Sequence, residues 1–242
     1  SRSTMNDWVR GRVIAKKQWS DSLFSLQIDA PVGDFKAGQY TKVALDIGDD
    51  RIGRPYSLVN APGERPLEIY FNEVPDGPLT PRLSDLRTGD ALWLSSKAGG
   101  IFTMDNVMQR RHLWLLATGT ALGVYLSILK TVEPWERFER VILVHGVRTA
   151  DELTYKETVA ALEKAQSDRF TFIPALSREQ QEGPLTGRIT NLLESGALEE
   201  RAGIRIDPAD SHLMLCGNHE MINDVRALLE ARGLRRHRRH EP

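Results

Sequence analysis

The sequence predicts a two-domain protein: an antiparallel β-barrel followed by an α/β domain built on a parallel sheet. Three observations carry this reading. The chain has 242 residues, enough for two domains of roughly 100–150 residues each. From Trp8 to about Leu94 it consists of short runs alternating apolar and polar residues, punctuated by GD, PG and DG pairs, the signature of hairpin-linked strands. After Arg111 the rhythm changes to apolar strands alternating with helical stretches, which is the pattern of a parallel sheet with crossover helices.

The elements follow in order. LFSLQI, YTKVALDI and LEIYFNEV read as half-buried strands, because side chains on a strand alternate between faces. PLTPRLSDL, Pro78 to Leu86, reads as a short helix, TGD at Thr88 to Asp90 as a turn, and ALWLSS as the strand after it. The domain boundary falls near Thr103 to Arg110, giving a first domain over 5–104 and a second over 110–242. Residues 1–4, SRST, read as an appended leader before a natural start at Met5. In the second domain LWLLA is a strand, followed by a helical stretch, the strand VILVHGV and the helix DELTYKETVAALEKA. FTFIPALS, a helical stretch around ITNLLESGAL, the strand HLMLCG and the amphipathic NDVRALLEARG complete it. No internal repeat is present.

Composition narrows the function classes. Hydrophobic residues make up 40% and charged residues 27% of the chain, so both domains can build cores and disorder is excluded. Thirty-two cations almost balance thirty-three anions, so net charge selects no partner. The exception is local: Arg232 to His240 holds five arginines and two histidines without an acid. Such a run can serve as a nucleic-acid arm, but no aromatics are interleaved for base stacking, and nucleic acid is not the expected partner. The single cysteine, Cys216, excludes an intrachain disulfide and a cysteine-held zinc or iron–sulfur centre; no metal is expected, and a reducing cytoplasm is the simplest setting. The uncharged stretch Leu113 to Leu129 is 17 residues long, at the lower limit for a membrane span. Thr118, Gly119, Thr120, Gly123 and Ser127 interrupt it, which fits a strand, turn and helix better.

Four constellations offer chemistry. In RPYSLVN, Arg54 can clamp an anionic diphosphate, Tyr56 can lie against a planar ring, and Ser57 can place a hydroxyl beside it; the bland alternative is a plain strand with Tyr56 and Leu58 in the core. PDGPLTPRLSDL offers Thr80 and free N–H groups at a helix start, where anions are favoured. LLATGTALGVYLSIL has the strand, glycine, small residues, glycine and helix of a pyrophosphate turn, without matching GxGxxG. ALSRE with TGRIT sets Ser177 and Arg178 after a strand and Arg188 ten residues on, in place of the acid that holds the ribose hydroxyls of NAD. Arginine there suits a 2′-phosphate, and Glu179 beside it is a counter-signal; two solvated surface arginines are the alternative. LMLCGNHEM places Cys216 at a strand end, where plain packing is the ordinary role of a buried thiol, although Gly217 and Asn218 suit a turn open to a ligand.

In order, RPYS, PDGPLTPRL, LATGTALG, VHGVR, LSRE, LTGRI and LCGN resemble the bacterial ferredoxin/flavodoxin–NADP⁺ reductases, in one collinear register over nearly all of Asp7 to Pro242. The resemblance implies an FAD-binding antiparallel barrel followed by an NADP-binding domain, and hydride transfer between NADPH and FAD with single electrons passing to ferredoxin or flavodoxin. It implies that Arg54 contacts the FAD diphosphate, Tyr56 stacks on the isoalloxazine, and Ser57 bonds near its N5, with Pro55 among the cofactor-binding residues. It places Phe71, Asn72 and Glu73 on the next FAD strand and Pro78, Leu79 and Thr80 at its phosphate-binding helix. Thr120 falls near both cofactors, and Arg148, Ser177, Arg178 and Arg188 fall at the 2′-phosphate and adenosine end. Cys216 falls near the nicotinamide, as a catalytic residue with Ser57. A soluble monomer in the cytoplasm is implied. Two departures stand out: Val124 where the family often has proline, and an end at Glu241–Pro242 where the family continues to a terminal aromatic covering the flavin. A non-enzymatic flavoprotein is the rival reading; it has no use for paired arginines at a 2′-phosphate.

Overall fold

The structure is a computed structural model that describes residues 7–237. Residues 1–6, including the four read as an appended segment and Met5, the last three residues of the basic segment and Glu241–Pro242 lie outside the described residues. Two compact units divide the chain. The first runs to Thr103 and also takes in Leu126–Thr131; the second holds Met104–Tyr125 and continues from Val132.

The first unit is one antiparallel sheet of six strands: β1 (Trp8–Gln18), β2 (Leu23–Asp29), β3 (Tyr40–Ile47), β4 (Asp50–Ser57), β5 (Leu67–Asn72) and β6 (Ala91–Ser95), in the order β4-β3-β6-β1-β2-β5. The sheet curls until its edges meet. Leu58, just after β4, bridges Ile69 on β5, and the Val59 N–H donates to Glu68 O at 2.9 Å. Curling gives the alternating strands an inside, filled by Val13, Leu26, Ile28, Val43, Leu58, Ile69, Leu92 and Leu94. Burying each leucine or isoleucine side chain contributes roughly 1.5–3 kcal/mol. A short helix, α1 (Thr80–Ser84), has proline in its first turn and packs Leu79 and Leu83 into the same core. Ser127 and Lys130 belong with this unit through bonds to Asn60 O at 2.8 Å and Val59 O at 3.3 Å.

The second unit is a parallel sheet of β7 (His112–Thr118), β8 (Arg140–Val147), β9 (Phe170–Leu176), β10 (Leu185–Thr186) and β11 (Ser211–Cys216), in the order β10-β9-β8-β7-β11. Both faces are covered, so the strands are continuously apolar: Leu113, Trp114, Leu115 and Leu116 are all fully buried. From β7 the chain moves outward through β8, β9 and β10, then returns to β11 on the other side of β7. The carboxyl ends of β7 and β11 therefore form the switch point where open α/β sheets bind ligands.

The helices are α2 (Leu122–Leu129), α3 (Glu133–Arg137), α4 (Lys156–Ala165), α5 (Ile189–Glu194), α6 (Ala197–Ala202) and α7 (His219–Ala231). Every residue of α2 is buried, which explains an uncharged stretch long enough to resemble a membrane span; no helix among the described residues is long and apolar enough to cross one. Three helical readings are corrected. DELTYKETVAALEKA is not one helix: Ala150–Glu152 form a 3₁₀ turn closed by a Thr149/Glu152 capping box, and Tyr155 at φ 57° separates it from α4. ITNLLESGAL divides into α5 and α6 at Ser195–Gly196. The last helix starts earlier than NDVRALLEARG, because the Asn218 side chain caps it by accepting from the Met221 N–H at 3.1 Å.

Candidate functional site

In the first unit the candidate residues cluster at the end of β4 and the start of α1. Pairing of Val43 with Arg54 and Thr41 with Tyr56 puts Arg54 and Tyr56 on one face of β4, and strand alternation puts Pro55 and Ser57 on the other. Arg54 is exposed and, among the described residues, its guanidinium donates only to its neighbour's carbonyl, Gly53 O at 2.8 Å. Tyr56 is half-buried, its ring edge-on to Phe71 with centroids 6.0 Å apart. Burial holds its hydroxyl above the usual tyrosine pKa despite the opposing charge of Arg54, so the ring is a neutral platform beside a cation with no acidic partner among the described residues. That pairing fits a planar aromatic group carrying a diphosphate.

The neighbouring candidates divide by what they have left to offer. Phe71 is 2% exposed and stacks on Phe24 at 5.8 Å, and Leu79 is equally buried; their side chains serve the core, leaving backbone groups for a ligand. Asn72 and Pro78 are exposed, and Glu73 accepts from the Ser84 hydroxyl. The Thr80 hydroxyl accepts from Val74 N–H at 2.7 Å and reaches Val74 O at 3.3 Å. Thr80 thus closes the 74–80 loop, and the anion-facing part of this segment is its backbone.

In the second unit the switch point is built by two glycines. Gly119, directly after β7, has φ +56°, and a Cβ there would meet nothing within 4 Å; the backbone is open to a close-lying ligand. Gly217 follows Cys216 at φ +127°, and a Cβ there would fall 2.0 Å from Thr118 Oγ1. That hydroxyl also accepts from Asn218 N–H at 2.7 Å, so Thr118 ties the ends of β7 and β11 together. Thr120 is half-exposed within the 3₁₀ turn Gly119–Ala121. Cys216 is partly exposed, and burial raises its thiol pKa. It stays a neutral thiol, suited to packing beside a ligand rather than to nucleophilic attack. Val124 is buried, so the residue in the proline position is a core side chain.

The arginines gather where β8, β9 and β10 end. Leu185 and Thr186 pair with Ala175 and Leu176, and the Gly187 N–H donates to Leu176 O at 2.8 Å. These contacts lay Arg188 alongside Ser177 and Arg178. In turn Ser177 and Arg178 donate their N–H groups to Val147 O and Arg148 O, each at 2.9 Å. Three arginines therefore sit side by side at one sheet end. Arg148 is held by Glu152 at 3.1 Å. Burial pushes the Glu152 carboxyl up, but the Arg148 hydrogen bond and charge outweigh it and lower its pKa. Arg178 and Arg188 are exposed and have no side-chain partner among the described residues. Glu179, the counter-signal, turns away: its carboxylate accepts from Ala150 N–H at 2.9 Å and from Gln181 at 3.0 Å.

Sequence reasoning missed Thr118, Glu152 and His145. The capping box in TADE was a readable signal for Glu152. His145 lay inside the VHGVR motif, but no role was read for it; it is buried in the apolar strand β8 and reaches Gly119 O at 2.9 Å.

Comparisons with known proteins agree with this geometry. Residues 115–227 match the oxidoreductase NAD-binding domain family. Over 221 residues the chain is 46% identical to a flavodoxin/ferredoxin–NADP reductase of Escherichia coli, covering 91% of this chain and 89% of that one. The chain belongs to the flavodoxin/ferredoxin–NADP reductase family. Another relative, a ferredoxin–NADP reductase of Pseudomonas aeruginosa, is 35% identical over 240 residues, covering 96% and 92% of the two chains. Among solved structures, a ferredoxin NADP⁺ reductase from Neisseria gonorrhoeae with bound FAD and NADP superposes with a TM-score of 0.91 at 29% identity, covering 96% and 94%. As in that reductase family, the chain combines a curled antiparallel sheet with a parallel one.

Proposed function

We propose that this chain is an FAD-dependent oxidoreductase that exchanges a hydride with NADPH and single electrons with ferredoxin or flavodoxin, working as a monomer in the cytoplasm. FAD, when bound, supplies the redox chemistry by taking two electrons as a hydride and releasing them one at a time. The protein's residues bind and orient. Arg54 pairs with the diphosphate, where a guanidinium makes charge-assisted bonds. Tyr56 supports one face of the ring, and Ser57 fixes its reacting edge. Pro55 stiffens the strand; Phe71, Asn72, Glu73, Pro78, Leu79 and Thr80 frame the remaining FAD contacts, largely through backbone groups. Thr120 and the open Gly119 backbone take the dinucleotide's phosphates, Cys216 flanks the nicotinamide, and Arg148, Ser177, Arg178 and Arg188 hold the adenosine end with its 2′-phosphate.

The observation that carries the choice of NADP over NAD is the pair Arg178 and Arg188, exposed and without an acidic partner among the described residues, while Glu179 is occupied by Ala150. An acid aimed outward there would repel a 2′-phosphate; two free guanidinium groups attract it. Arg178→Ala with Arg188→Ala is therefore expected to lower kcat/KM for NADPH by about 100-fold, at roughly 1.4 kcal/mol per lost charge-assisted contact. NADH, which lacks the phosphate, should lose little. Steady-state assays with both nucleotides check this, and parallel losses would refute the assignment.

A further inference from the structure

His145 lies on β8 beside the end of β7, opposite Ala117 in register, and is completely buried. Its Nε2 is 2.9 Å from the carbonyl oxygen of Gly119, the residue that opens the turn after β7. A carbonyl only accepts, so Nε2 must carry the proton and Nδ1 the lone pair. Nδ1 has no partner among the described residues. An unpaired buried acceptor is costly, and a leucine would fill this place without that cost. What sets the histidine apart from an apolar residue is the bond made by its other nitrogen.

That bond has a geometric consequence. The Gly119 carbonyl also accepts from the Leu122 N–H at the start of α2, so two donors fix its direction. In a trans peptide the N–H points opposite to the C=O. With the carbonyl drawn towards His145 on β8, the Thr120 N–H in the same peptide plane points the opposite way, away from His145; separately, the space a Cβ on Gly119 would occupy is open within 4 Å. We infer that His145 is the positioning residue of the dinucleotide turn, holding the Gly119–Thr120 peptide so that its N–H faces the ligand's diphosphate. This rests on the nucleotide-binding reading above, and it adds a residue from the neighbouring strand to a turn that the sequence presents as self-contained.

The test uses the FAD-loaded protein, three variants and three ligands titrated by calorimetry. His145→Leu removes the donor; in His145→Asn the amide nitrogen falls one bond short of Gly119 O; in His145→Gln it can occupy the Nε2 position. NADP⁺ and NAD⁺ both carry the diphosphate, whereas adenosine 2′-monophosphate carries only the group assigned to the arginines. His145→Leu and His145→Asn should weaken NADP⁺ and NAD⁺ by the same factor, about tenfold, and leave adenosine 2′-monophosphate unchanged, with Gln restoring most of the loss. Equal NADP⁺ affinity in wild type and the Leu or Asn variant overturns the inference. So does a matching loss of adenosine 2′-monophosphate, which would mean that β8 itself is damaged, or a failure of Gln to rescue. Should His145→Leu not fold, the contrast between Asn and Gln decides alone. Wild-type protein that binds none of the three ligands overturns the functional reading and this inference together, whereas normal wild-type binding with unaffected variants overturns the inference only.

Discussion

Two histidines contribute to how this protein responds to acid. Burial lowers the pKa of His145 from its usual 6.5 to about 4, against the raising influence of the Gly119 bond and of Glu152. His212 on β11 is also lowered to about 4, by burial first and then by the positive charges of His237, Arg110 and Arg137. Both remain neutral in the folded chain until well below the pH at which they protonate in the unfolded one. The unfolded state therefore binds more protons between about pH 6.5 and pH 4, so stability falls as pH drops through that window and is unaffected by these groups above it. At pH 5 each histidine accounts for about 2 kcal/mol of this loss. Urea unfolding at pH 7 and pH 5 checks it: wild type should lose about 2 kcal/mol more than His145→Gln between the two values, and equal losses would show that His145 is not held neutral. Single residues were also where the sequence was least legible. Arg54, Tyr56, Arg178 and Arg188 stand out as candidates by type and spacing, but Glu179 read as a counter-signal until its bond to Ala150 N–H was visible. His145 stood within the VHGVR motif, but its role was hidden because its partner lies twenty-six positions away in sequence.

At the scale of elements, the strands were legible because one-sided burial writes a period of two into the barrel and two-sided burial writes apolar runs into the parallel sheet. Helix boundaries were less so. The pattern of DELTYKETVAALEKA is helical throughout, yet the capping box at Thr149 and the left-handed Tyr155 stop it and restart it. Capping geometry and tertiary packing override the period there. The pair β7 and β11 shows how one turn can lock two elements. Gly217 passes so close to Thr118 that a side chain would collide with its hydroxyl at 2.0 Å and its backbone N and O at 3.0 Å, at a φ of +127° that other residues rarely adopt. Gly217→Ala should destabilise the protein by about 3 kcal/mol, lowering Tm by about 6–12 °C for a chain of this size. Scanning calorimetry would detect this; an unchanged Tm would mean that the β11 turn can move off Thr118 at no cost.

For the whole molecule, the change of rhythm after Arg111 made the division into two units readable, since an antiparallel barrel and a parallel sheet have different periodicities. The exact partition was not readable: Leu126–Thr131 group with the first unit although they follow β7 in sequence, because their hydrogen bonds run to Asn60 and Val59. The candidate site was legible as motifs and not as geometry. Three arginines separated by tens of residues become neighbours only once β8, β9 and β10 are aligned in register. The central claim is that the first unit holds FAD and the second delivers NADPH to it. The most direct measurement is the visible absorption spectrum of the purified protein supplied with FAD, freed of excess, and read before and after anaerobic addition of NADPH. The account predicts bound-flavin bands that bleach on NADPH and respond far less to the same concentration of NADH. A protein that retains no flavin, or whose flavin bands persist unchanged with NADPH, would contradict it.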